Sequence, residues 1–421
     1  MPGLEAQQLA KLRPLLAELL ASNPFYAPRL RAAGIDASVA SVADFCARAP
    51  FTFKQDLVDD QAEHPPYGSN LTYPLERYTR FSQTSATTGR PLRWLDTPES
   101  WTWMLDSWAR VFEAAGVTAA DHLFFAFSFG PFLGFWTAFE SAERIGCLCI
   151  PGGGMRSAMR VRTILDSGVT VLCCTPTYAL RLAEAAAEEK IDLAASQVRK
   201  IIVGGEPGGS IPGTRAEIES RWPGARVIDH HGMTETGPVS YGCRELPGVL
   251  HVIESGYIAE IIDPATGQAV PRGETGELVL TNLGRVGSPL LRYRTGDLVR
   301  SAAELPCVCG SYDLALPGGI LGRTDDMVVV RGINVYPSAV EDVVRAIGGV
   351  AEYRVEVHTR RAMPELSLKV EVSPDHPDPA GLASRLEAAV SSALGLRIAV
   401  STVPFGELPR FEMKARRWVK L

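Results

Sequence analysis

The stretch Val169-Thr170-Val171-Leu172-Cys173-Cys174-Thr175-Pro176-Thr177-Tyr178 decides how this chain is read. A short run of β-branched and apolar residues ends in a polar, proline-containing turn, and a helical pattern follows. The same unit recurs on both sides. Upstream, Leu123-Phe124-Phe125-Ala126-Phe127 leads past Gly130 and Gly134 to a helix ending near Ile145. Cys147-Leu148-Cys149-Ile150 then ends in Pro151-Gly152-Gly153-Gly154, before a helix over residues 157–166. Downstream, Lys200-Ile201-Ile202-Val203 ends in Gly204-Gly205-Glu206-Pro207. The next run, Ala225-Arg226-Val227-Ile228-Asp229, delivers His230-His231-Gly232-Met233-Thr234-Glu235-Thr236-Gly237. Continuous apolar strands alternating with helices predict an α/β fold with a parallel sheet covered on both faces. Ligands of such sheets sit at the carboxyl ends of the strands, where the glycine-rich turns fall.

The two ends of the chain read differently. Leu9, Leu12, Leu15, Leu16, Leu19 and Leu20 recur at helical spacing and predict a helix over residues 5–22, with Pro14 marking a start or a kink. Pro50-Phe51-Thr52-Phe53-Lys54 resembles an N-cap and a short helix. Near the other end, Gly322-Arg323-Thr324-Asp325-Asp326 opens an apolar run that leads to Arg331-Gly332 and on to Tyr336-Pro337. Asp325 and Asp326 suit a polar turn entering a hairpin, and their position between a large α/β block and a small terminal one suits a hinge. The expected domains are 1–324 and 325–421. The second reads as a compact α+β unit: a strand at Val328–Val330, a helix from Pro337, strands at 353–358 and 366–372, a helix carrying Leu382, Leu386 and Val390, and a strand near 397–403.

A chain of 421 residues is long enough for two or three domains. With 42 basic against 48 acidic residues, it lacks the positive balance that non-specific nucleic-acid binding needs. No apolar window reaches membrane-span length and no cleavable leader pattern opens the sequence. The expectation is a cytoplasmic monomer or homodimer with neither nucleic-acid nor membrane partners. Eight cysteines in a chain of this size do not make a disulfide scaffold.

Three polar clusters carry chemistry. Ser82-Gln83-Thr84-Ser85-Ala86-Thr87-Thr88-Gly89-Arg90-Pro91 gathers five hydroxyls, a glycine and an arginine, a set suited to phosphate oxygens, although the Walker A spacing is absent. In residues 230–237 a ring can stack on a base, Thr234 can reach a phosphate and Glu235 can hold Mg²⁺; a capped helix start gives the same letters. In Arg292-Tyr293-Arg294-Thr295-Gly296-Asp297 the aspartate can accept from ribose hydroxyls or close a hairpin.

The order of these clusters, followed by Gly322-Arg323 through Gly332 and a lysine near the end, resembles the adenylate-forming enzymes. Asn23-Pro24-Phe25-Tyr26, residues 50–57, Gly205-Glu206-Pro207 and Leu408-Pro409-Arg410 look most like the phenylacetate-CoA ligase family, over the whole length. The resemblance implies a large N-terminal domain with a strand-rich subdomain and a small mobile C-terminal domain. It also implies ATP, Mg²⁺ and coenzyme A as cofactors, and a carboxylic acid activated to acyl-AMP and passed to a thiol. Thr84, Ser85, Thr87, Thr88, Gly89 and Arg90 would cradle phosphates. Gly205, Glu206 and Pro207 would pack along the adenine, with His230, His231, Gly232 and Met233 beside it. Thr234 would contact the α-phosphate and Glu235 the Mg²⁺, while Asp297 and Arg323 would hold the ribose. Asp325 would be the hinge, Arg331 and Gly332 would shape the thiol path, and Lys414 would be the catalytic lysine. The chain departs from the pattern at Ala86, at Arg90 and before Lys414, where glycine, lysine and glycine are usual.

Phe129, Phe132, Trp136, Gly153, Tyr178 and Gly205 are expected to line an acid pocket whose rings favour an aromatic acid. Transfer to a carrier protein or an amine is the rival outcome, and a nucleotide-sensing relative of the fold is the non-enzymatic one. Cys243, His251, Cys307 and Cys309 form a candidate structural zinc set, with a knuckle-like turn at Cys307-Val308-Cys309-Gly310. Cys46, Cys147, Cys149, Cys173 and Cys174 sit in apolar patterns and read as core.

Overall fold

The computed structural model describes residues 3–84, 91–330, 333–360, 363–374, 376–411 and 414–421. The chain forms two compact units, Met1–Gly153 with His230–Gly319, and Gly154–Asp229 with Ile320–Leu421.

In the first unit, the helix Leu4–Ser22 buries Leu12, Leu15, Leu16 and Leu19 on one face, as their spacing dictates. Pro14 lies inside this helix and does not start it. The expected N-cap and short helix are present as Phe53 and Lys54–Glu63. The Asp56 carboxylate accepts from Phe53 N–H at 2.9 Å, whereas the Thr52 hydroxyl donates to Leu291 O at 2.8 Å. His122–Phe125 and Leu148–Pro151 pair in parallel, and the helix Leu133–Ile145 joins them. The strand-rich part consists of two antiparallel groups. Tyr257–Ile262, Thr275–Asn282 and Tyr293–Arg300 form one, and Ser240–Gly242, Val249–Val252 and Ala315–Pro317 the other. Gly232–Met233 and Gly237–Pro238 pair antiparallel, so residues 234–236 are a hairpin turn and not the start of a helix.

In the second unit, Val171–Cys174, Lys200–Val203 and Arg226–Asp229 run in parallel, with Pro176–Glu188 and Pro212–Arg221 as the crossover helices. Residues 328 onward build the expected α+β part. A hairpin Val328–Val330/Ile333–Val335 and the helix Pro337–Ile347 lead into a sheet ordered Ala399–Val403, Met363–Val372, Val350–Arg360, Trp418–Lys420. Val340, Val344, Leu382, Leu386 and Val390 bury their side chains in its core. The strand Trp418–Lys420, parallel to Val350–Arg360, was not expected: three residues are too few to show a period of two. Among the described residues no helix is long and apolar enough to cross a membrane.

Candidate active site

The turn at residues 234–236 is held from beneath by Arg285, whose side chain is fully buried. Its Nε and one terminal nitrogen each lie 2.6 Å from an oxygen of Asp96, itself fully buried. The other terminal nitrogen donates to Thr234 O at 2.7 Å and Glu235 O at 2.9 Å. A planar guanidinium thus neutralises a buried carboxylate with one edge and fixes two turn carbonyls with its remaining donors. Gly237 closes the turn at φ +88°, and a Cβ there would meet Met104 at 3.2 Å. Neither Asp96 nor Arg285 belongs to a motif. The only available signal was a charge set inside Trp94-Leu95-Asp96 and Leu283-Gly284-Arg285-Val286.

Glu235 projects from this turn and is buried, with Lys54 Nζ 3.3 Å from Oε1. Lys54 is exposed and reaches the carboxylate from the start of the helix Lys54–Glu63. One hard carboxylate oxygen fits the sparse protein ligation of Mg²⁺ beside nucleotide phosphates.

His231 and Asp297 meet. Nε2 of the imidazole is 3.0 Å from Asp297 Oδ2, while His231 N–H donates to Ser240 Oγ at 3.1 Å. His231 Nδ1 is buried without a partner among the described residues. Asp297 follows Gly296, which sits at φ +76°, and its N–H donates to Thr295 Oγ1. His230 packs its ring on Trp108, 4.2 Å between centroids, with Nδ1 2.7 Å from Ser240 O. Burial holds its pKa down at about 4, so the ring is neutral.

Of the expected phosphate loop, Thr84 is described. Its N–H donates to Leu92 O and its Oγ1 accepts from Leu92 N–H, both at 3.0 Å. Ser85, Ala86, Thr87, Thr88, Gly89 and Arg90 lie outside the described residues, as do Arg331 and Gly332. The strands Arg80–Gln83 and Arg93–Asp96 pair antiparallel and bracket the loop.

The expected pocket rings pack on one another. Phe127 stacks on Phe135 with centroids 3.8 Å apart, Phe129 meets Trp136 edge-on at 5.1 Å, and Phe132 meets Phe135 at 6.0 Å. Phe129 adopts φ +52°, a conformation costly for an aromatic residue. A Cβ built on Gly153 would lie 3.5 Å from the Phe129 ring. Tyr178, in the second unit, is buried with its hydroxyl 3.0 Å from Ser157 Oγ.

Within the second unit Gly205 and Lys414 are brought together: a Cβ on Gly205 would sit 3.5 Å from Lys414 Cε. The Glu206 carboxylate accepts from Thr177 N–H and Ala415 N–H. Arg323 and Asp325 pair with each other, Nε to Oδ1 at 2.8 Å, on an exposed turn.

The four expected metal ligands converge. The ligand atoms of Cys243, His251, Cys307 and Cys309 all lie within 4.8 Å of one another. Cys243 and Cys307 sulfurs are 3.8 Å apart, about the separation that tetrahedral thiolates at ~2.3 Å from zinc adopt. Cys309 Sγ is 3.5 Å from His251 Nε2, and His251 Nδ1 is 3.2 Å from Asp313 O, an arrangement that presents Nε2 to an ion. The knuckle closes by Gly310 N–H donating to Cys307 O at 2.8 Å. The donor set fits Zn²⁺.

Residues 82–284 match the model of the AMP-binding enzymes, and residues 332–420 match that of the AMP-binding enzyme C-terminal domain. The chain is 33% identical to a phenylacetate-coenzyme A ligase of Thermus thermophilus, over 97% of this chain and 94% of that one. A phenylacetate-coenzyme A ligase of Escherichia coli is 30% identical, over 98% and 94%. A solved 2-hydroxyisobutyryl-CoA ligase in its postadenylation state superposes with a TM-score of 0.92 at 30% identity, covering 100% of this chain and 91% of that one. The same ligase in its thioesterification state gives 0.70, with the same coverage. The chain belongs to the phenylacetate-coenzyme A ligase family of AMP-binding enzymes.

Proposed function

We propose that this AMP-forming acid–thiol ligase activates an aromatic carboxylate and passes the acyl group to coenzyme A. The ring cluster of Phe127, Phe129, Phe132, Phe135 and Trp136, beside Gly153, carries the aromatic reading. A flat apolar acid can replace ring–ring contacts with its own, at little polar cost.

A carboxylate is a poor electrophile, and joining it to AMP supplies a leaving group. The site must hold two anions together while charge grows at the α-phosphorus. Glu235 is the residue that would hold Mg²⁺, and the ion when bound supplies charge neutralisation at the phosphates. We assign Thr234 to the α-phosphate, Asp297 and Arg323 to the ribose, residues 84–90 to the β- and γ-phosphates, and Lys414 to the charge that develops during adenylation. We assign the mobile part to residues 325–421, with Asp325 as hinge and Arg331 and Gly332 serving the thiol step. We assign structural Zn²⁺ to Cys243, His251, Cys307 and Cys309.

ATP–pyrophosphate exchange with aryl acids against short aliphatic acids tests the reading, followed by acceptor tests with coenzyme A, a carrier-protein thiol and an amine. Exchange driven best by aryl acids and a coenzyme A thioester as product are expected. Preference for a small aliphatic or hydroxy acid would overturn the aromatic assignment.

A further inference from the structure

The turn Gly204-Gly205-Glu206-Pro207 leaves the strand Lys200–Val203 and passes the start of the helix Pro176–Glu188. That helix has proline at its first position, which lacks an N–H, and Thr175 Oγ1 accepts from Tyr178 N–H at 3.2 Å. Thr177 N–H remains, and Glu206 Oε1 accepts it at 2.9 Å. A carboxylate at a helix N-terminus is favoured by the dipole, and one oxygen suffices for that role. The second oxygen does something else. Glu206 Oε2 accepts from Ala415 N–H at 2.8 Å, the peptide nitrogen directly after Lys414.

We propose that Glu206 is a positioning residue for Lys414, fixing the peptide plane from which the lysine side chain departs. A charge-assisted bond to that plane removes the rotation that would otherwise swing the Cα–Cβ bond. The next anchor follows at once: Arg417 donates from Nε to Glu352 Oε1 at 2.6 Å and from a terminal nitrogen to Oε2 at 3.1 Å. The lysine therefore leads a segment held at 415 and 417, and its Cε passes close to the Gly205 backbone. Glu206 thus joins the acid-activating face of the parallel strands to the residue that serves it. This inference rests on the proposed role of Lys414 in adenylation.

The experiment compares the full-length protein with E206A, E206Q, K414A and E206A/K414A. The readouts are ATP–pyrophosphate exchange, thioester formation from supplied acyl-AMP, and melting temperature. In E206A the kcat of exchange should fall at least about tenfold, the loss expected for one bond to a charged group. That loss should exceed any change in the KM for ATP, and thioester formation from acyl-AMP should fall less than exchange. E206Q, which keeps one acceptor oxygen, should fall between wild type and E206A, and it stands in if E206A does not fold. The double variant should exchange no more slowly than K414A. A raised KM for ATP at unchanged kcat would make Glu206 an adenine contact and overturn the proposal. Equal loss of both half-reactions would make it merely structural and also overturn it. A loss in K414A with none in E206A would overturn the Glu206 inference alone; no loss in K414A would overturn the reading of Lys414 and this inference with it.

Discussion

The imidazole of His231 and the carboxylate of Asp297 stand 3.0 Å apart, although 66 residues separate them in sequence. The ring proposed for adenine and the carboxylate proposed for ribose are therefore one hydrogen-bonded unit, and each orients the other. Replacing His231 by phenylalanine keeps a ring and deletes the bond. The expected result is a rise in the KM for ATP of about two- to tenfold, the worth of one such bond, with kcat little changed. Initial rates of pyrophosphate exchange against ATP concentration measure it. An unchanged KM would show that Asp297 needs no orienting partner.

Arg285 and Asp96 form a fully buried ion pair beneath the turn that carries Glu235. Arg285→Met strands a buried carboxylate and should lower stability by about 3–5 kcal/mol in urea unfolding. Adding Asp96→Leu removes the stranded charge and should restore most of that stability, since apolar pairs often replace such bridges at little cost. Exchange activity should not recover in the double variant, because the carbonyls of Thr234 and Glu235 have lost their donor. Recovery of both would reduce the pair to a packing element.

Purified protein never exposed to chelator should hold one zinc per chain by elemental analysis. Cys309→Ser should lose that zinc and melt earlier, because folding and metal binding are coupled at such sites. Less than a trace of zinc in folded wild-type protein would end the assignment.

His230 gives a pH prediction. Its pKa is about 4 when folded, against about 6.5 for an exposed imidazole, because burial against Trp108 disfavours the cation. As pH falls through 6.5 the unfolded chain binds the proton first, so this contribution to stability is present above 6.5 and is lost as pH falls to about 4. Urea unfolding at several values between pH 7 and 4.5 should show a shallower fall for His230→Asn than for wild type. Identical slopes would assign the acid sensitivity elsewhere.

The βα units were legible within a residue or two because apolar runs bounded by glycine and proline leave a local pattern, as at Lys200–Val203 and Gly204. Half of the Cys243, His251, Cys307 and Cys309 cluster was legible because Cys307-x-Cys309 within a turn is itself local. What the sequence hid was pairing across distance. Nothing near Asp96 announces Arg285, nothing near Lys54 announces Glu235, and nothing near Glu206 announces Ala415. The hairpin at residues 234–236 was ambiguous for another reason: hydroxyl then carboxylate caps a helix or turns a hairpin equally well, and only strand pairing on both sides decides.

Neither compact unit is built from one continuous stretch. The chain passes between them three times, after Gly153, Asp229 and Gly319. During synthesis, residues 1–153 must wait for 230–319, and residues 154–229 must wait longer still for the segment after 320. Contacts of such sequence separation are slow to form, and residues 154–229 stay without the segment they pack on while the ribosome works. Glu206 meets Ala415 only when nearly everything else has been made. The bond between Glu206 and the peptide after Lys414 is thus among the last contacts of the molecule to form.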